Sequence, residues 1–257
     1  MTVLGANATQ TPGIVRLGWH EPDGSPLWSA SQTGSAQVHY AGAPSPLTFA
    51  WANLASALDR DAQLLSEAEL VRARVIDDPA RRARFIAGRT FVRRTLGARI
   101  DGEPYLGEFV VDRLGKPGLP PPHASLGFNV SHAGDLIVVA IREDGPIGVD
   151  IERCDRAIPP KLADIVFDRD ERDCLSRCDD WRTAFLLGWT CKEAVLKCVG
   201  CGLLRDPRRI KVFIDNDGVR HSVAYEYSAR GELIGNYRII SQPWGLGMLG
   251  VMAVSCA

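Results

Sequence analysis

Two stretches of the sequence carry the residue types that bind a hard metal ion. Apolar and acidic residues alternate over residues 147–152, which predicts a strand with Asp150 and Glu152 on one face. Residues two apart in a strand share a face at roughly 6–7 Å, so the two carboxylates repel each other by about 2–3 kcal/mol at an effective dielectric of about 20. Open water or a bound cation would relieve this repulsion, and the apolar neighbours favour the cation.

The second stretch predicts a helix from about residue 180 to residue 197. An apolar stripe that includes Trp189 runs along it, and Lys192, Glu193 and Lys197 carry its charge. Glu193 and Lys197 are four residues apart and share a face, so they can pair. Glu193 brought to the acidic strand would complete an all-oxygen site of the kind that Mg²⁺ prefers. Each stretch alone is more typical of a solvated acidic or charged surface, and the two together favour the metal site.

Composition limits the classes of protein to which the chain can belong. The 257 residues are enough for one large domain or two smaller ones, and the formal net charge of −1 argues against a general nucleic-acid binder. Residues 1–10 lack the basic and apolar regions of a secretory signal, and no run approaches the ~18 apolar residues of a membrane span. We therefore expect a cytoplasmic protein that binds neither nucleic acid nor membrane.

The seven cysteines follow no spacing typical of a disulfide framework. Cys198 and Cys201 form a C-x-x-C pair, but there is no second such pair and no histidine at the spacing of a zinc finger. Buried thiols that pack as small apolar side chains are the favoured interpretation.

Helix signals become clear after residue 65, whereas the first fifty residues predict little beyond a strand at about residues 14–17. Ser66 with Glu69 forms a capping box that begins one helix. Asp78 with Pro79 begins a second helix, predicted to run to about residue 96, before Gly97.

Three arginines, Arg82, Arg89 and Arg93, lie beside the apolar stripe of this second helix. They suit either an anion held between two packed elements or side chains that extend over the core into water.

Strand signals follow at residues 109–112, 126–130 and 136–142, and again towards the C-terminus. His132 lies beside the turn between two of these strands, where it can face a cleft or serve as a surface residue. Helices then strands, followed by a strand, helices and strands, predict an α+β fold. We expect two halves, residues 1–143 and 144–257, each with helices on a small antiparallel sheet. The ligand site would lie in the cleft between them.

Five blocks of sequence resemble the 4′-phosphopantetheinyl transferases, and specifically the long, single-chain surfactin-type group. They are R-F-I-A-G-R at residues 84–89, G-K-P at 115–117, F-N-V-S-H at 128–132, G-V-D-I-E at 148–152 and W-x-x-K-E-A-x-x-K at 189–197, the last followed by G-x-G-L at 200–203. Phe167 and Glu171 match the lead-in to the last block. Their order and spacing carry the resemblance, which leaves the first fifty residues without a match.

The resemblance implies two pseudo-twofold-related halves with coenzyme A and Mg²⁺ between them. Such an enzyme moves the phosphopantetheine arm of coenzyme A to a serine hydroxyl of an apo acyl or peptidyl carrier protein and releases adenosine 3′,5′-bisphosphate. By match to the motifs, the metal ligands are Asp150, Glu152 and Glu193. The residues expected around the nucleotide and pyrophosphate are Arg84, Arg89, Lys116, Ser131, His132, Lys192 and Lys197.

The chemistry implied by the resemblance suits these residue types, because coenzyme A is a polyanion that needs cations at both its 3′-phosphate and its pyrophosphate. Lys197 would neutralise charge in the transition state, and Glu193 would take the serine proton directly or through water.

Two other functions remain open at this point: a catalytically idle carrier-protein or nucleotide-binding module on the same fold, and another Mg²⁺-dependent phosphoryl-transfer enzyme such as a nuclease. All three carboxylates and Lys197 are present, which argues against the idle module. The even charge balance and the missing P-loop pattern argue against the other phosphoryl-transfer enzyme. Because one chain supplies both halves of the cleft, we expect a monomer. The carrier protein cannot be read from the sequence.

Overall fold

The structure is a computed structural model. It describes residues 33–38, 46–55, 61–159, 161–215, 218–219, 223–244 and 247–256. The strand predicted at residues 14–17 lies outside the described residues.

Helices and strands are mixed along the chain. The helices are α1 Glu67–Arg74, α2 Pro79–Ile100, α3 Leu162–Val166, α4 Arg169–Leu175 and α5 Trp181–Val199. The strands are β1 Gly34–Val38, β2 Leu47–Asn53, β3 Val110–Val111, β4 Pro117–Gly118, β5 Gly127–Ala133, β6 Leu136–Arg142, β7 Ile147–Arg153, β8 Ile210–Lys211, β9 Ile214–Asp215, β10 Gly218–Val219, β11 Val223–Tyr227, β12 Leu233–Trp244 and β13 Met248–Ser255.

A four-stranded antiparallel sheet carries α2 on one of its faces. Its strand order is β1-β2-β6-β5. Alternate residues of β6 point to opposite faces, so Ile137, Val139 and Ile141 pack with Ala87, Val92 and Leu96 of α2 in one buried cluster.

A five-stranded antiparallel sheet carries α5 in the same way. Its order is β7-β13-β12-β11-β8. Phe185 and Val195 of α5 share a buried cluster with Ile239 of β12 and with Val251 and Ala253 of β13.

The other faces of the two sheets pack against each other. Leu47, Phe49, Trp51, Val138 and Ala140 of the first sheet form one buried cluster with residues of the second sheet, namely Ile147, Val149, Ile151, Ile240, Met252 and Val254. The layers therefore run from α2 through two sheets to α5.

Side chains of β5 join the edges of the two sheets. The Asn129 Oδ1 atom accepts a hydrogen bond of 3.0 Å from the amide of Val149, and Ser131 Oγ accepts one of 3.2 Å from the amide of Ile151. These amides lie on the edge of β7, where no neighbouring strand of its own sheet can accept from them. The β5 side chains therefore take the place of a ladder and fix β5 beside β7.

The α+β class is confirmed, and so are the predicted helix starts. Ser66 and Glu69 form the capping box of α1, and Asp78 caps α2 with Pro79 in the first turn. The predicted end of α2 at Gly97 is wrong. A Cβ on Gly97 would lie 1.7 Å from the carbonyl oxygen of Glu103, so this glycine admits the returning chain and the helix continues to Ile100.

Within the described residues, no helix is both long enough and apolar enough to cross a membrane.

Candidate active site

The close contact of α5 with β7 positions the acidic residues. A Cβ on Gly148 would lie 1.9 Å from the carbonyl oxygen of Ala194, so only glycine allows the helix this near the strand. Ile147, Val149 and Ile151 pack into the core between the sheets, and the strand alternation turns Asp150 and Glu152 towards α5.

Asp150, Ser131 and Lys197 form a closed triangle of hydrogen bonds. The Lys197 ammonium donates to Asp150 Oδ1 at 2.7 Å and to Ser131 Oγ at 3.0 Å, and the Ser131 hydroxyl donates to Asp150 Oδ1 at 3.1 Å. Burial raises the pKa of Asp150, and the charge of Lys197 opposes that shift. Three elements, β5, β7 and α5, therefore meet at this point.

Glu152 is held by two donors. The Trp189 indole N–H donates to Glu152 Oε1 at 3.1 Å, and the Arg156 guanidinium forms an ion pair with the same oxygen. Arg156 also lies over the Trp189 ring, 5.5 Å from its centroid. Burial raises the pKa of Glu152, Arg156 lowers it, and the nearby charge of Asp150 raises it.

Glu193 lies one turn before Lys197 on α5. Burial raises the pKa of Glu193 to about 7, and the negative charges of Asp150 and then Glu152 add to this shift against the opposing charge of Lys197. This coupling means that the three carboxylates predicted to act together lie near one another. The helical spacing suggested a pair of Lys197 with Glu193, whereas the Lys197 ammonium donates to Asp150 and Ser131.

The oxygen atoms of this cluster suit a hard cation. Asp150 Oδ2 and Glu193 Oε1 are buried and have no hydrogen-bond partner among the described residues. Ionised carboxylates are acceptors only, and a divalent cation would satisfy both atoms while relieving the repulsion. Across the described residues, no three His, Cys, Asp or Glu side chains already surround a common point where a metal ion could sit.

Comparison with known proteins gives the family. Residues 146–236 match the 4′-phosphopantetheinyl transferase superfamily. The 4′-phosphopantetheinyl transferase AcpT of Salmonella typhimurium is 34% identical over 142 residues, which cover 52% of this chain and 68% of AcpT. The chain belongs to the 4′-phosphopantetheinyl transferase family.

Two further relatives extend the matched region. The 4′-phosphopantetheinyl transferase HetI of Nostoc sp. is 36% identical over 149 residues, covering 56% of this chain and 63% of HetI. A putative 4′-phosphopantetheinyl transferase of Synechocystis sp., slr0495, is 29% identical over 184 residues, covering 70% of this chain and 72% of that protein. The chain thus spans slightly less than two thirds of HetI.

The sequence predicts that Lys192 lies along the pyrophosphate of a transferase substrate, whereas the structure encloses it among other protein groups. Its side chain is fully buried, and its ammonium donates to Glu171 at 2.6 Å, to the Val166 carbonyl at 3.1 Å and to the Pro207 carbonyl at 3.2 Å. The ammonium also lies 4.8 Å from the centroid of the Phe167 ring. An ammonium has three donors, so none remains for a phosphate, and Lys192 instead anchors α5.

The other family lysine, Lys116, bridges the two parts of the fold. Its ammonium donates to the carbonyl oxygens of Cys198 at 2.8 Å and Ile147 at 3.2 Å, at the end of α5 and the start of β7. Burial lowers its pKa. The half-buried side chain also lines a cleft of about 610 Å³ together with Pro117 and Val199.

The remaining residues predicted on the nucleotide side lie around β5 and α2. His132 is exposed at the end of β5, next to Ser131. Arg84 pairs with Asp135 at 2.7 Å. Arg89 is half-buried over the Phe85 ring, 5.4 Å from its centroid, and lies 3.6 Å from Glu69.

The arginine row on α2 has a partly structural role. Arg93 is fully buried, and its guanidinium donates to Glu69 and to the carbonyls of Tyr105 and Gly107. Arg82 donates to the Ile76 carbonyl. The sequence predicted either an anion site or arginines that extend into water, and neither describes the buried Arg93. Its partners lie on α1 and in the loop after α2, outside the pattern of α2 itself.

Sequence reasoning missed Arg156 altogether and gave Trp189 no role at the site. The available signal was only that Arg156 follows Glu152 by four residues. That spacing brings two side chains together on a helix, but it predicts no contact where a strand passes into a loop. Asn129 was recognised within a motif, but its contact with the β7 backbone was not foreseen.

Proposed function

We propose that the protein transfers the 4′-phosphopantetheine arm of coenzyme A to a serine hydroxyl of an apo acyl or peptidyl carrier protein and releases adenosine 3′,5′-bisphosphate. The observation that carries the proposal is the meeting of Asp150, Glu152 and Glu193 with Lys197 where α5 lies against β7. Membership of the family supports the same reaction, and it disfavours an idle binding module.

Asp150, Glu152 and Glu193 would hold Mg²⁺. The unpartnered oxygens of Asp150 and Glu193 and the mutual repulsion of the three groups support this assignment. Bound there, the ion would neutralise charge on the diphosphate of coenzyme A. Ser131 would act indirectly, because its hydroxyl orients both Asp150 and Lys197.

Lys197 and Glu193 would act on the reacting groups. The carrier serine oxygen forms a bond to the phosphorus that bears the pantetheine arm, and the bond from this phosphorus to the leaving nucleotide oxygen breaks. Lys197 would stabilise charge that develops on the phosphate oxygens. Glu193 would take the serine proton, directly or through water. A bound cation would keep Glu193 ionised and make it a weaker base, which favours the route through water.

The nucleotide and its 3′-phosphate would bind to Ser131, His132, Lys116, Arg84 and Arg89. His132 is exposed at the end of β5, where an anion can reach it, and half-buried Lys116 and Arg89 supply cations. In the free protein, Arg84 has Asp135 as its partner, so it would have to exchange that carboxylate for a phosphate.

The finer assignments complete the proposal. The chain would belong to the surfactin-type group, with residues 1–143 as the nucleotide-side half and residues 144–257 as the metal-side half. All strands of the four-stranded sheet precede residue 143, and all those of the five-stranded sheet follow residue 146, which supports this division. The enzyme would act as a monomer in the cytoplasm, and its seven free cysteines are compatible with a reducing compartment.

The test incubates the purified protein with coenzyme A, Mg²⁺ and a panel of apo acyl and peptidyl carrier proteins and weighs each carrier by intact-mass spectrometry. We expect at least one carrier to gain the mass of one phosphopantetheine, and excess chelator to stop the reaction. Glu193→Gln should abolish transfer with an unchanged circular dichroism spectrum. Carriers that an active phosphopantetheinyl transferase modifies but this protein leaves untouched would refute the proposal.

A further inference from the structure

Arg156 lies at the mouth of the carboxylate cluster, on the loop that follows β7. Its guanidinium pairs with Glu152 and lies over the ring of Trp189, whose own N–H donates to the same carboxylate oxygen. The Arg156 side chain is 36% exposed and that of Glu152 is 17% exposed. The ion pair therefore lies at the boundary between the buried cluster and water.

The three carboxylates differ in what satisfies them. Asp150 has Lys197 and Ser131 on one oxygen, while its second oxygen has no partner among the described residues, and the same is true of Glu193 Oε1. Both partners of Glu152 likewise converge on one oxygen, Oε1, and one of them is a full positive charge. Lys197 neutralises Asp150 in the more buried part of the cluster, whereas Arg156 neutralises Glu152 at its rim.

The backbone of this loop is held by hydrogen bonds that do not involve the Arg156 side chain. The Arg182 guanidinium donates to the Cys154 carbonyl at 3.0 Å and to the carbonyl of Arg156 itself. The side chain of Arg156 can therefore leave Glu152 towards solvent by rotation about its own bonds, without movement of the loop. A long, flexible arginine suits such an exchange.

We propose that Arg156 is a displaceable counter-cation: it occupies Glu152 until a divalent cation binds the carboxylates, and its competition with that cation sets the metal affinity of the site. The inference rests on the proposed metal site. Arg156 opposes the divalent cation in two ways, because it occupies a ligand oxygen and because it places a positive charge beside the incoming ion. It also protects the site, since Glu152 without a cation would be a poorly solvated charge.

The measurement is the dissociation constant for Mn²⁺, used as a probe for Mg²⁺, from electron paramagnetic resonance of the free ion in the absence of coenzyme A at pH 8. We expect Arg156→Gln to bind Mn²⁺ about tenfold more tightly than the unmodified protein, as the loss of one nearby positive charge should produce in a partly solvated site. Arg153→Gln is the matched control. It removes the same charge from the exposed neighbouring position, where the arginine pairs with Asp155, and it should change affinity less than about twofold.

A second readout follows the movement of Arg156. The emission of Trp189 should change when Mn²⁺-free protein is titrated with Mg²⁺, because the guanidinium leaves the ring. This change should be absent in Trp189→Phe. Arg156→Lys retains the charge and guards against a variant that fails to fold, and its affinity should lie between those of the unmodified protein and Arg156→Gln.

The possible failures are distinct. If the unmodified protein binds Mn²⁺ and Glu193→Gln abolishes binding, but Arg156→Gln binds no more tightly than Arg153→Gln, the counter-cation role is refuted and the metal site stands. If Glu193→Gln binds Mn²⁺ as the unmodified protein does, or neither binds it, the metal site of the proposed function is itself refuted.

Discussion

At the scale of single residues, the candidate site is a group of acids that the chain has only partly neutralised. Lys197 and Arg156 each pair with one carboxylate, while Asp150 Oδ2 and Glu193 Oε1 have no partner among the described residues. Burial and the charges of Asp150 and Glu152 raise the pKa of Glu193 to about 7. We therefore expect Glu193 to exchange a proton in the neutral range when no cation is bound.

This shift predicts how Glu193→Gln changes stability with pH. A carboxyl whose pKa is raised on folding contributes stability that is present below its ordinary pKa and is lost as the pH rises towards 7. Glutamine does not titrate, so with metal chelated the variant should be more stable than the unmodified protein at pH 8 by about 1–2 kcal/mol, after a discount for solvent screening. The difference should largely vanish at pH 4.5.

Thermal unfolding at both pH values in chelator checks the prediction, with an expected rise in Tm of several degrees at pH 8. Added Mg²⁺ should raise the Tm of the unmodified protein and leave that of the variant unchanged. An equal difference at pH 4.5 and pH 8 would show that Glu193 does not titrate in this range.

The sequence was sufficient to predict that the three acids lie near one another, but not the partners of the two lysines beside them. Lys192 and Lys197 belong to the same motif, and on a helix they point about 140° apart. Only the positions of α3, α4 and the Pro207 turn decide that Lys192 is enclosed by Glu171 and two carbonyls. Those positions are tertiary facts without a local pattern.

At the scale of elements, local rules predicted where helices begin better than where they end. The starts of α1 and α2 depend on side chains within four residues, namely Ser66 with Glu69 and Asp78 before Pro79. The end of α2 lies at Asp101 and Gly102, whose amides both donate to the Gly97 carbonyl, and Gly102 has the positive φ that is common just after helices. Gly97 itself makes room for the carbonyl of Glu103, and only the packed chain shows that role.

The buried pair of Lys192 and Glu171 predicts a defect in stability rather than in ligand binding. Lys192→Met keeps much of the apolar stem but leaves Glu171 without its cation, and loss of one member of a buried pair costs about 3–5 kcal/mol. We expect a markedly lower midpoint of urea unfolding, with Mn²⁺ affinity at low temperature, where the variant stays folded, within about twofold of the unmodified protein.

Lys192→Met with Glu171→Gln is the matched control. It removes the unpaired charge, so it should recover part of the lost stability. If the single variant instead unfolds at the original urea concentration but binds coenzyme A far more weakly, Lys192 would be a substrate ligand after all.

At the scale of the whole molecule, the site exists because two sheets meet edge to edge as well as face to face. The apolar alternation of β6 and β7 is visible in the sequence and accounts for the face-to-face core. The edge contact is not visible, because it joins side chains of β5 to amides of β7 and depends on how the two sheets are set side by side. Asn129 and Ser131 thus share one structural task, and only Ser131 also contacts Asp150 and Lys197.

This difference predicts distinct effects for two similar substitutions. Asn129→Ala leaves the amide of Val149 unsatisfied in a buried place, which should reduce the free energy of unfolding by about 1–3 kcal/mol. Asn129 lies two residues before Ser131 on β5, and of the two only Ser131 contacts Asp150 and Lys197. The carboxylates should therefore keep their arrangement in this variant, and Mn²⁺ affinity should change little. Ser131→Ala removes the equivalent bond to Ile151 and also the hydroxyl that orients Asp150 and Lys197, so it should reduce stability, Mn²⁺ affinity and transfer together.

Urea unfolding and Mn²⁺ binding, measured on both variants, separate the two effects. The contrast follows from the edge-to-edge contact. The Asn129 bond only joins the two sheets, so its loss should lower stability alone. The Ser131 hydroxyl also contacts Asp150 and Lys197, so its loss should also change Mn²⁺ binding and transfer. Equal losses of Mn²⁺ affinity in the two variants would mean that the spacing of β5 and β7 as a whole, rather than the Ser131 hydroxyl, controls the carboxylates.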